Sequence, residues 1–354
     1  MCGIAFATQA TTEQIDDAAA RLRRRGPDDS YTITRPDFAL AVTRLSIVDT
    51  TRSLRGLVEG NDSNISVAFN GEIWNRSELI TKYAQSVPDL AECDLIRLLY
   101  RRFGWKLLDL LDGMYAFVIV DCERRTVVAA RDHCGVKPLY YSLQDGIRIA
   151  SDVSALIALG QPVALNPRFV INHSVLGFSD YSDCAIKGVH QIPPGHALDT
   201  RPGIEPTLHR SAPEAYTPTT GSFPDAFRQS VRAAVTHHCD SRLGVLLSGG
   251  IDSSLLLATA LEYCDPQNLV AINLAGGSIH DRFFASQVAD ELGVEMVTVP
   301  LDEGTFRRYF DSAPANMSGY PFVSLPISFC AIRSLLPDLR ILICGEGAAE
   351  LFVG

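Results

Sequence analysis

The second residue of the chain is a cysteine, and the five that follow, Gly3-Ile4-Ala5-Phe6-Ala7, carry no charge. A run this short and apolar reads as a buried strand with Cys2 at its tip. The start of the chain is then part of a core, and Cys2 acquires a chemical use. Removal of Met1 would leave a thiol and a free α-amine on one carbon. The amine titrates near ~7.7–8.0 and the thiol near ~8.5, so the amine can take the thiol proton close to neutral pH without a histidine. Taken alone, a Met-Cys start means little; other residues have to converge on it.

The 354 residues suffice for two domains, each with its own core. Hydrophobic residues make up 47%, charged residues 20%, and the formal net charge is -10. That balance fits a soluble globular protein and disfavours nucleic acid and anionic membranes as partners. No apolar run reaches the ~18 residues needed to cross a bilayer, and no signal peptide is evident, so the expected compartment is the cytoplasm. The nine cysteines show no CxxC pair and no metal-ligand spacing. Reduced thiols are therefore expected, with neither disulfides nor structural zinc. His237 and His238 are adjacent and read as surface residues.

A helix is expected over 12–25, ended by Gly26-Pro27-Asp28-Asp29. Strands follow at 38–42, 45–48 and 65–69, with Asn70-Gly71-Glu72 ending the last as a tight turn. A helix over 92–103 precedes strands at 115–120, 126–130, 139–142 and 147–151. Residues 201–222 are rich in Pro, Thr, Ser and Gly and read as a linker. The expected domains are thus 1–205 and 223–354, joined by a linker over 206–222. Ser222 reads as the N-cap of a helix with Phe223, Phe227, Val231 and Ala234 on one face.

A second chemical centre follows. Leu243-Gly244-Val245-Leu246-Leu247 reads as a buried strand, Ser248-Gly249-Gly250-Ile251-Asp252-Ser253-Ser254 as a loop, and 255–263 as a helix. Glycines admit a ligand close to backbone N–H groups, hydroxyls add donors, and a helix N-terminus favours an anion; the combination suits pyrophosphate. No GKS or GKT follows, so it is not a Walker loop. Strands at 269–274 and 294–299, a helix at 281–292 and the run Arg340-Ile341-Leu342-Ile343 imply a parallel sheet with ligands at the strand C-terminal ends.

Six segments in order, Cys2-Gly3-Ile4, Arg25-Gly26-Pro27-Asp28, Arg44 to Asp49, Asn70-Gly71-Glu72-Ile73-Trp74-Asn75, Leu111 to Phe117 and Arg131 to Tyr140, resemble the class II glutamine amidotransferase domain. Their order and spacing are those of glutamine-hydrolysing asparagine synthetases. The SGGIDSS loop is similar to the signature of ATP pyrophosphatases. The resemblance implies an α+β N-terminal-nucleophile domain of αββα layers, followed by an incomplete α/β parallel-sheet domain like that of the ATP pyrophosphatases. It implies Cys2 as nucleophile and Asn70 and Gly71 as oxyanion donors. Glutamine would be held by Arg44, Ile47, Val48, Glu72 and Glu92 as well as by Asn70 and Gly71. Arg44 offers a planar two-donor fork for the α-carboxylate.

In the second domain it implies ATP at Leu246, Ser248, Gly249, Gly250, Asp252, Ser253, Ile272, Cys344 and Gly345, Mg²⁺ at Asp252, and acceptor activation at Glu346. The implied activity is an ATP-dependent amide ligase that converts aspartate, or another carboxylate, to its amide with ammonia from glutamine. The chain departs from the family pattern in three places. Glu92 and Asp94 exchange the usual order of aspartate and glutamate. Ala349 stands where an aspartate expected to bind a second Mg²⁺ belongs. The sequence stops at Gly354, before a long helical segment of the family. A homodimer, or a partner supplying the missing part, is one expectation, and a glutaminase or ATP-binding subunit without independent synthetase activity is the alternative function.

Overall fold

The structure, a computed structural model, describes residues 2–46, 53–60, 64–85, 90–176, 183–212, 222–236, 238–239, 241–276, 279–310, 324–339 and 341–345. The chain divides into two units, Met1–Tyr216 and Thr217–Gly354.

In the first unit the residues after Cys2 form β1 (Gly3–Ala7), buried throughout. α1 (Thr12–Leu22) starts behind a capping box: the Thr11 hydroxyl accepts from Gln14 N, and Thr11 N donates to Gln14 Oε1. It stops short of Arg25 because Arg25 N and Gly26 N both turn back to Leu22 O. There follow β2 (Asp29–Arg35), β3 (Phe38–Arg44), α2 (Leu54–Glu59), β4 (Ile65–Ile73), α3 (Arg76–Tyr83), α4 (Glu92–Phe103), β5 (Gly113–Asp121), β6 (Thr126–Arg131), β7 (Tyr140–Ser142) and β8 (Arg148–Ala150). The unit is completed by α5 (Val153–Ala158), α6 (Pro167–Leu176), β9 (His190–Gln191), β10 (His196–Arg201) and β11 (Ile204–Arg210).

These strands make two antiparallel sheets, β2-β3-β1-β8-β7-β9 and β11-β10-β6-β5-β4. Side chains alternate across each sheet, and the inner faces meet: Ile4, Phe6, Leu40 and Val42 pack with Ala116, Val118, Val127 and Ala129 in one core. On the outer faces, Ala5, Ala39 and Ala41 pack under Ile15, Ala18 and Leu22 of α1 and Leu156 of α5. Val67, Tyr115 and Phe117 pack under Leu95, Ile96 and Leu99 of α4. The layers are therefore αββα, as expected. Each large side chain so buried, Phe6 and Phe117 among them, contributes about 1.5–3 kcal/mol.

Several local expectations are corrected. Asn70-Gly71-Glu72 is not a turn; β4 runs on to Ile73, with Asn70 opposite Ala116 and Gly71 opposite Tyr115. Gly71 serves close approach instead, for at its φ of 151° a side chain would collide with Met114 O. Leu45 and Ser46 continue β3 without strand pairing, and Ile47 and Val48 lie outside the described residues. β11 crosses the boundary expected at Glu205 and pairs with β10 as far as Arg210. Ser211 Oγ and Ala212 N then both donate to Asp109 at 2.8 Å, so the expected linker begins as sheet.

The second unit contains α7 (Phe223–Val235), β12 (Leu243–Leu246), α8 (Ile251–Ala260), β13 (Leu269–Ala275), α9 (Ile279–Leu292), β14 (Glu295–Pro300), α10 (Glu303–Phe310), a helix over Ser324–Leu335 and β15 (Ile341–Ile343). All strand pairs are parallel, in the order β14-β13-β12-β15. α7, α8 and α9 cover one face through Val235, Leu257 and Ala285, and Ala331, Ile332 and Leu336 cover the other. The order reverses between β12 and β15, which makes their C-terminal ends the crevice where such sheets take ligands. α8 begins at Ile251, so Asp252, Ser253 and Ser254 belong to its first turn rather than to the loop.

Two cysteines overturn the all-reduced expectation. Packing of α7 against α8 brings the Cα atoms of Cys239 and Cys264 to 4.8 Å, and the pair is disulfide-bonded. His238, expected at the surface, is 4% exposed. Among the described residues no helix is long and apolar enough to cross a membrane, and no group of three His, Cys, Asp or Glu could hold a metal ion.

Candidate functional site

β1 places Cys2 one residue before the Gly3–Thr43 pair, at the end of β3 where Arg44 lies. Gly3 is required there: a Cβ would sit 2.7 Å from Thr43 Oγ1 and 2.8 Å from Leu22 Cβ. Cys2 is half-buried, and its Sγ points to Leu45 O at 3.9 Å. The Arg25-Gly26-Pro27-Asp28 segment forms a frame around this corner. Arg25 Nε donates to Cys2 O at 3.3 Å, Asp28 N to Arg44 O at 3.0 Å, and Ser46 N to Asp28 Oδ2 at 2.8 Å. Gly26 lets its backbone lie directly on that of Thr43 and Arg44.

Asn70 is in the opposed sheet, at 1% exposure, and its Nδ2 has no hydrogen-bond acceptor among the described residues. Leaving a buried amide donor unsatisfied costs about 1–3 kcal/mol. Glu92, at the first position of α4, reaches the end of β4: its Oε1 accepts from Ile73 N at 2.9 Å, one residue after Glu72. Asp94 instead pairs with Arg97, whose guanidinium also donates to Ile65 O, Leu57 O and Val58 O. The two carboxylates thus have different partners: Glu92 reaches the end of β4 beside Glu72, and Asp94 is held by Arg97. Cys93 beside it is inert, its thiol pushed up to about 12 by burial.

Sequence reasoning found the Arg131–Tyr140 segment but assigned its residues no role. Asp132 is fully buried and accepts four backbone N–H groups, from Tyr115, Cys134, Val136 and Lys137, at 2.9–3.2 Å. Arg131 donates to the carbonyls of Lys137, Ile192 and Gly135. The loop so fixed carries Lys137, 9% exposed, whose ammonium is held below the usual lysine range by burial, with Glu72 and Cys2 acting against that and Arg25 adding to it. The alternating polar pattern of Arg131-Asp132 was the signal available; its meaning required the loop.

In the second unit the loop after β12 is tied to the first turn of α8. Ser248 N donates to Ser253 Oγ at 3.2 Å, the two hydroxyls lie 3.0 Å apart, and Gly250 N donates to Ser248 Oγ at 3.3 Å. Gly249 has φ 84°, and a Cβ there would meet Ala285 N at 2.6 Å and Asp281 O at 2.8 Å. No side chain caps α8, which leaves its positive end to a ligand. Leu246 pairs with Ile272, and a Cβ added to Gly345, after β15, would meet the backbone and Cβ of Asp252 at 3.4–3.5 Å. Beside these residues Asn273 Nδ2 donates to Leu247 O at 2.9 Å and holds the end of the strand that leads into the loop. Glu346 and Ala349 lie outside the described residues.

Two family descriptions match the chain: "Glutamine amidotransferase domain" over residues 1–208 and "Asparagine synthase" over residues 223–354. The chain belongs to the glutamine-hydrolysing asparagine synthetase family. Among family members, asparagine synthetase [glutamine-hydrolyzing] 3 of Arabidopsis thaliana is 32% identical, over 100% of this chain and 61% of that protein. Asparagine synthetase [glutamine-hydrolyzing] 2 of Oryza sativa subsp. japonica is 31% identical, over 99% of this chain and 58% of that protein. The chain therefore spans about three fifths of the length of these curated synthetases. A solved structure of a glutamine phosphoribosylpyrophosphate amidotransferase from B. subtilis aligns with 84% of this chain and 66% of its own, at 14% identity and a TM-score of 0.41.

Proposed function

We propose that this chain hydrolyses glutamine at Cys2 and uses the ammonia to amidate a carboxylate, aspartate, that its second unit activates with ATP. The observation that carries the first half is Asn70, in the sheet opposed to β1, whose buried amide nitrogen has no acceptor among the described residues. A donor kept in that state is preorganised for charge that develops only during reaction. The Cys2 thiolate attacks the side-chain amide carbon of glutamine, and the resulting oxyanion takes hydrogen bonds from Asn70 Nδ2 and the Gly71 N–H. The α-amine, having accepted the thiol proton, passes it to the leaving nitrogen; water then releases glutamate from the thioester. Arg44 holds the α-carboxylate, and Glu72 and Glu92 the α-ammonium.

In the second unit the uncapped start of α8 and the Gly249 turn suit the phosphates of ATP, with Leu246, Ile272, Cys344 and Gly345 around the nucleotide. Asp252, on the first turn of α8, would hold Mg²⁺ together with those phosphates; one carboxylate is an ordinary protein share for this ion. The metal would neutralise phosphate charge. Glu346 is assigned to acceptor activation by family resemblance.

The test is to incubate the chain with glutamine, ATP, Mg²⁺ and aspartate and to measure glutamate, AMP and asparagine separately. Glutamate is expected in excess of AMP and asparagine, whose formation Ala349 should weaken, and absence of glutamate overturns the first half. Ala349 favours a second reading, a glutaminase or ATP-binding subunit without independent ligation; glutamate without AMP or asparagine would establish it. AMP formed only with another carboxylate would move the acceptor away from aspartate.

A further inference from the structure

The disulfide of the second unit encloses the part of the chain that would hold the nucleotide. Cys239 lies just after α7 and Cys264 just after α8, at a sequence separation of 25. Between them run β12, the loop over 247–250 and all of α8. The cross-link therefore closes strand, loop and helix into one ring. α8 is 10 residues long, about 15 Å, so the cross-link at its far end bears on the loop through the helix.

Both ends of the ring are seated. Asn268 Nδ2 donates to Cys239 O at 2.7 Å, and Cys264 N donates to Ala260 O at 3.0 Å. Val235 of α7 and Leu257 and Ala260 of α8 pack in the same core as Cys264, and Arg228 of α7 pairs with Glu262 at 3.1 Å. None of these contacts needs the S–S bond, so they keep the two sulfurs within reach when it is broken. The sulfurs differ in access: Cys264 is 4% exposed, whereas Cys239 is half-buried. A small thiol therefore reaches the bond from the Cys239 side.

We propose that Cys239 and Cys264 form a redox-sensitive switch of the nucleotide-binding unit, closed as a disulfide and open as two thiols. In opening, a small thiolate attacks Cys239 Sγ, the S–S bond breaks, and Cys264 leaves as a thiolate that takes a proton. A second small thiol then resolves the mixed disulfide. The pair gains two electrons and two protons, and two small thiols become one disulfide. Closing is the reverse, with a small disulfide as oxidant. Closure removes disorder from the opened state of the ring and so favours the loop conformation set by the Gly249 turn and the Ser248 N to Ser253 Oγ bond. Nucleotide affinity follows the switch; glutamine hydrolysis does not, because no residue of the first unit lies in the ring. The nucleotide consequence rests on the ATP reading above, and the switch itself does not.

The test uses the full chain, oxidised by glutathione disulfide or reduced by dithiothreitol, with the reagent then removed. After alkylation by iodoacetamide, mass spectrometry of non-reduced digests should find the peptides of Cys239 and Cys264 joined in the oxidised sample and each alkylated in the reduced one. Hydrogen exchange, which needs no nucleotide, should be at least about tenfold faster over 243–260 after reduction, with peptides of β1 and β4 unchanged. ATP binding by calorimetry should weaken about threefold to tenfold on reduction. Cys239→Ala should match the reduced parent under both treatments, and Cys239→Ser stands in if the alanine variant does not fold. Failure to find joined peptides, exchange and ATP affinity alike in the two samples, or a redox response that persists in Cys239→Ala would each overturn the proposal. Absence of ATP binding in both samples, with the exchange difference intact, would overturn the ATP reading and leave the switch standing.

Discussion

The two candidate sites solve the problem of binding charge in opposite ways. In the first unit Arg44 is 8% exposed, Lys137 9% and the neutral Asn70 amide 1%, with Cys2, Glu72 and Glu92 half-buried. Arg44 and Asn70 stand on paired strands, β3 and β4, and the loop of Lys137 is fixed by buried Asp132 and Arg131. In the second unit the motif lies open, with Ser248, Gly250 and Asp252 exposed and Ile251 at 84%. There the recognising groups are backbone N–H and hydroxyls at the start of one helix. A walled site can stabilise a transient anion strongly because water does not compete. An open loop suits a nucleotide that must enter and leave, and it relies on conformation rather than burial.

If that contrast is right, damage should be confined to one unit at a time and should differ in kind. The largest effect is expected from Cys2→Ala, which should abolish glutamine hydrolysis, by more than about 10³-fold, while ATP affinity by calorimetry stays unchanged. Asn70→Ala should lower kcat by about 10²–10³-fold with little change in KM. Because its Nδ2 has no partner to lose among the described residues, thermal stability should be nearly unaffected; a large drop in Tm would show that Asn70 is structural. Gly249→Ala should weaken ATP binding about tenfold or more, since a Cβ there would press on Ala285 N and Asp281 O at φ 84°. Glutamine hydrolysis in the same variant should be intact, and its loss would break the independence of the two sites.

The smallest effect concerns pH and stability. Burial lowers the pKa of Lys137, so between its folded value and the ordinary ~10.4 of an unfolded lysine the unfolded state binds more protons. The resulting penalty on the folded state is fully present at neutral pH and is relieved as pH rises through that window. Lys137→Met should therefore unfold at a slightly higher temperature than the parent at pH 7, and the difference should narrow above about pH 10. A lower unfolding temperature for the methionine variant at pH 7 would show that burying this lysine carries no such penalty.

Much of this was legible without the fold, where residue type alone dictates behaviour. The helix expected over 92–103 is α4 (Glu92–Phe103), because its apolar positions recur at helical spacing between an acidic first turn and a glycine. Asn70-Gly71-Glu72 was misread, since Asn-Gly is a turn signal locally and only the strand opposite shows that Gly71 is there to let Tyr115 approach. Cys239 and Cys264 were misread because 25 residues separate them, and nothing in that spacing reveals that α7 and α8 pack side by side. The exchange of Glu92 and Asp94 was visible, but which partner each carboxylate takes, Ile73 N for Glu92 and Arg97 for Asp94, needed the fold.

By itself the sequence determined which chemistry is on offer: a thiol at position two, an amide and carboxylates to surround it, and a glycine-serine loop between an apolar strand and a helix. Those follow from functional groups and short-range backbone preferences. Only the tertiary structure decided how the groups are held. Asp132 and Arg131 bind backbone groups from distant segments, Asn70 Nδ2 has no acceptor among the described residues, and burial holds the Lys137 ammonium below the usual lysine range. Burial and pairing arise from residues far apart in the chain, and they set the strength of each charge, which no residue carries on its own.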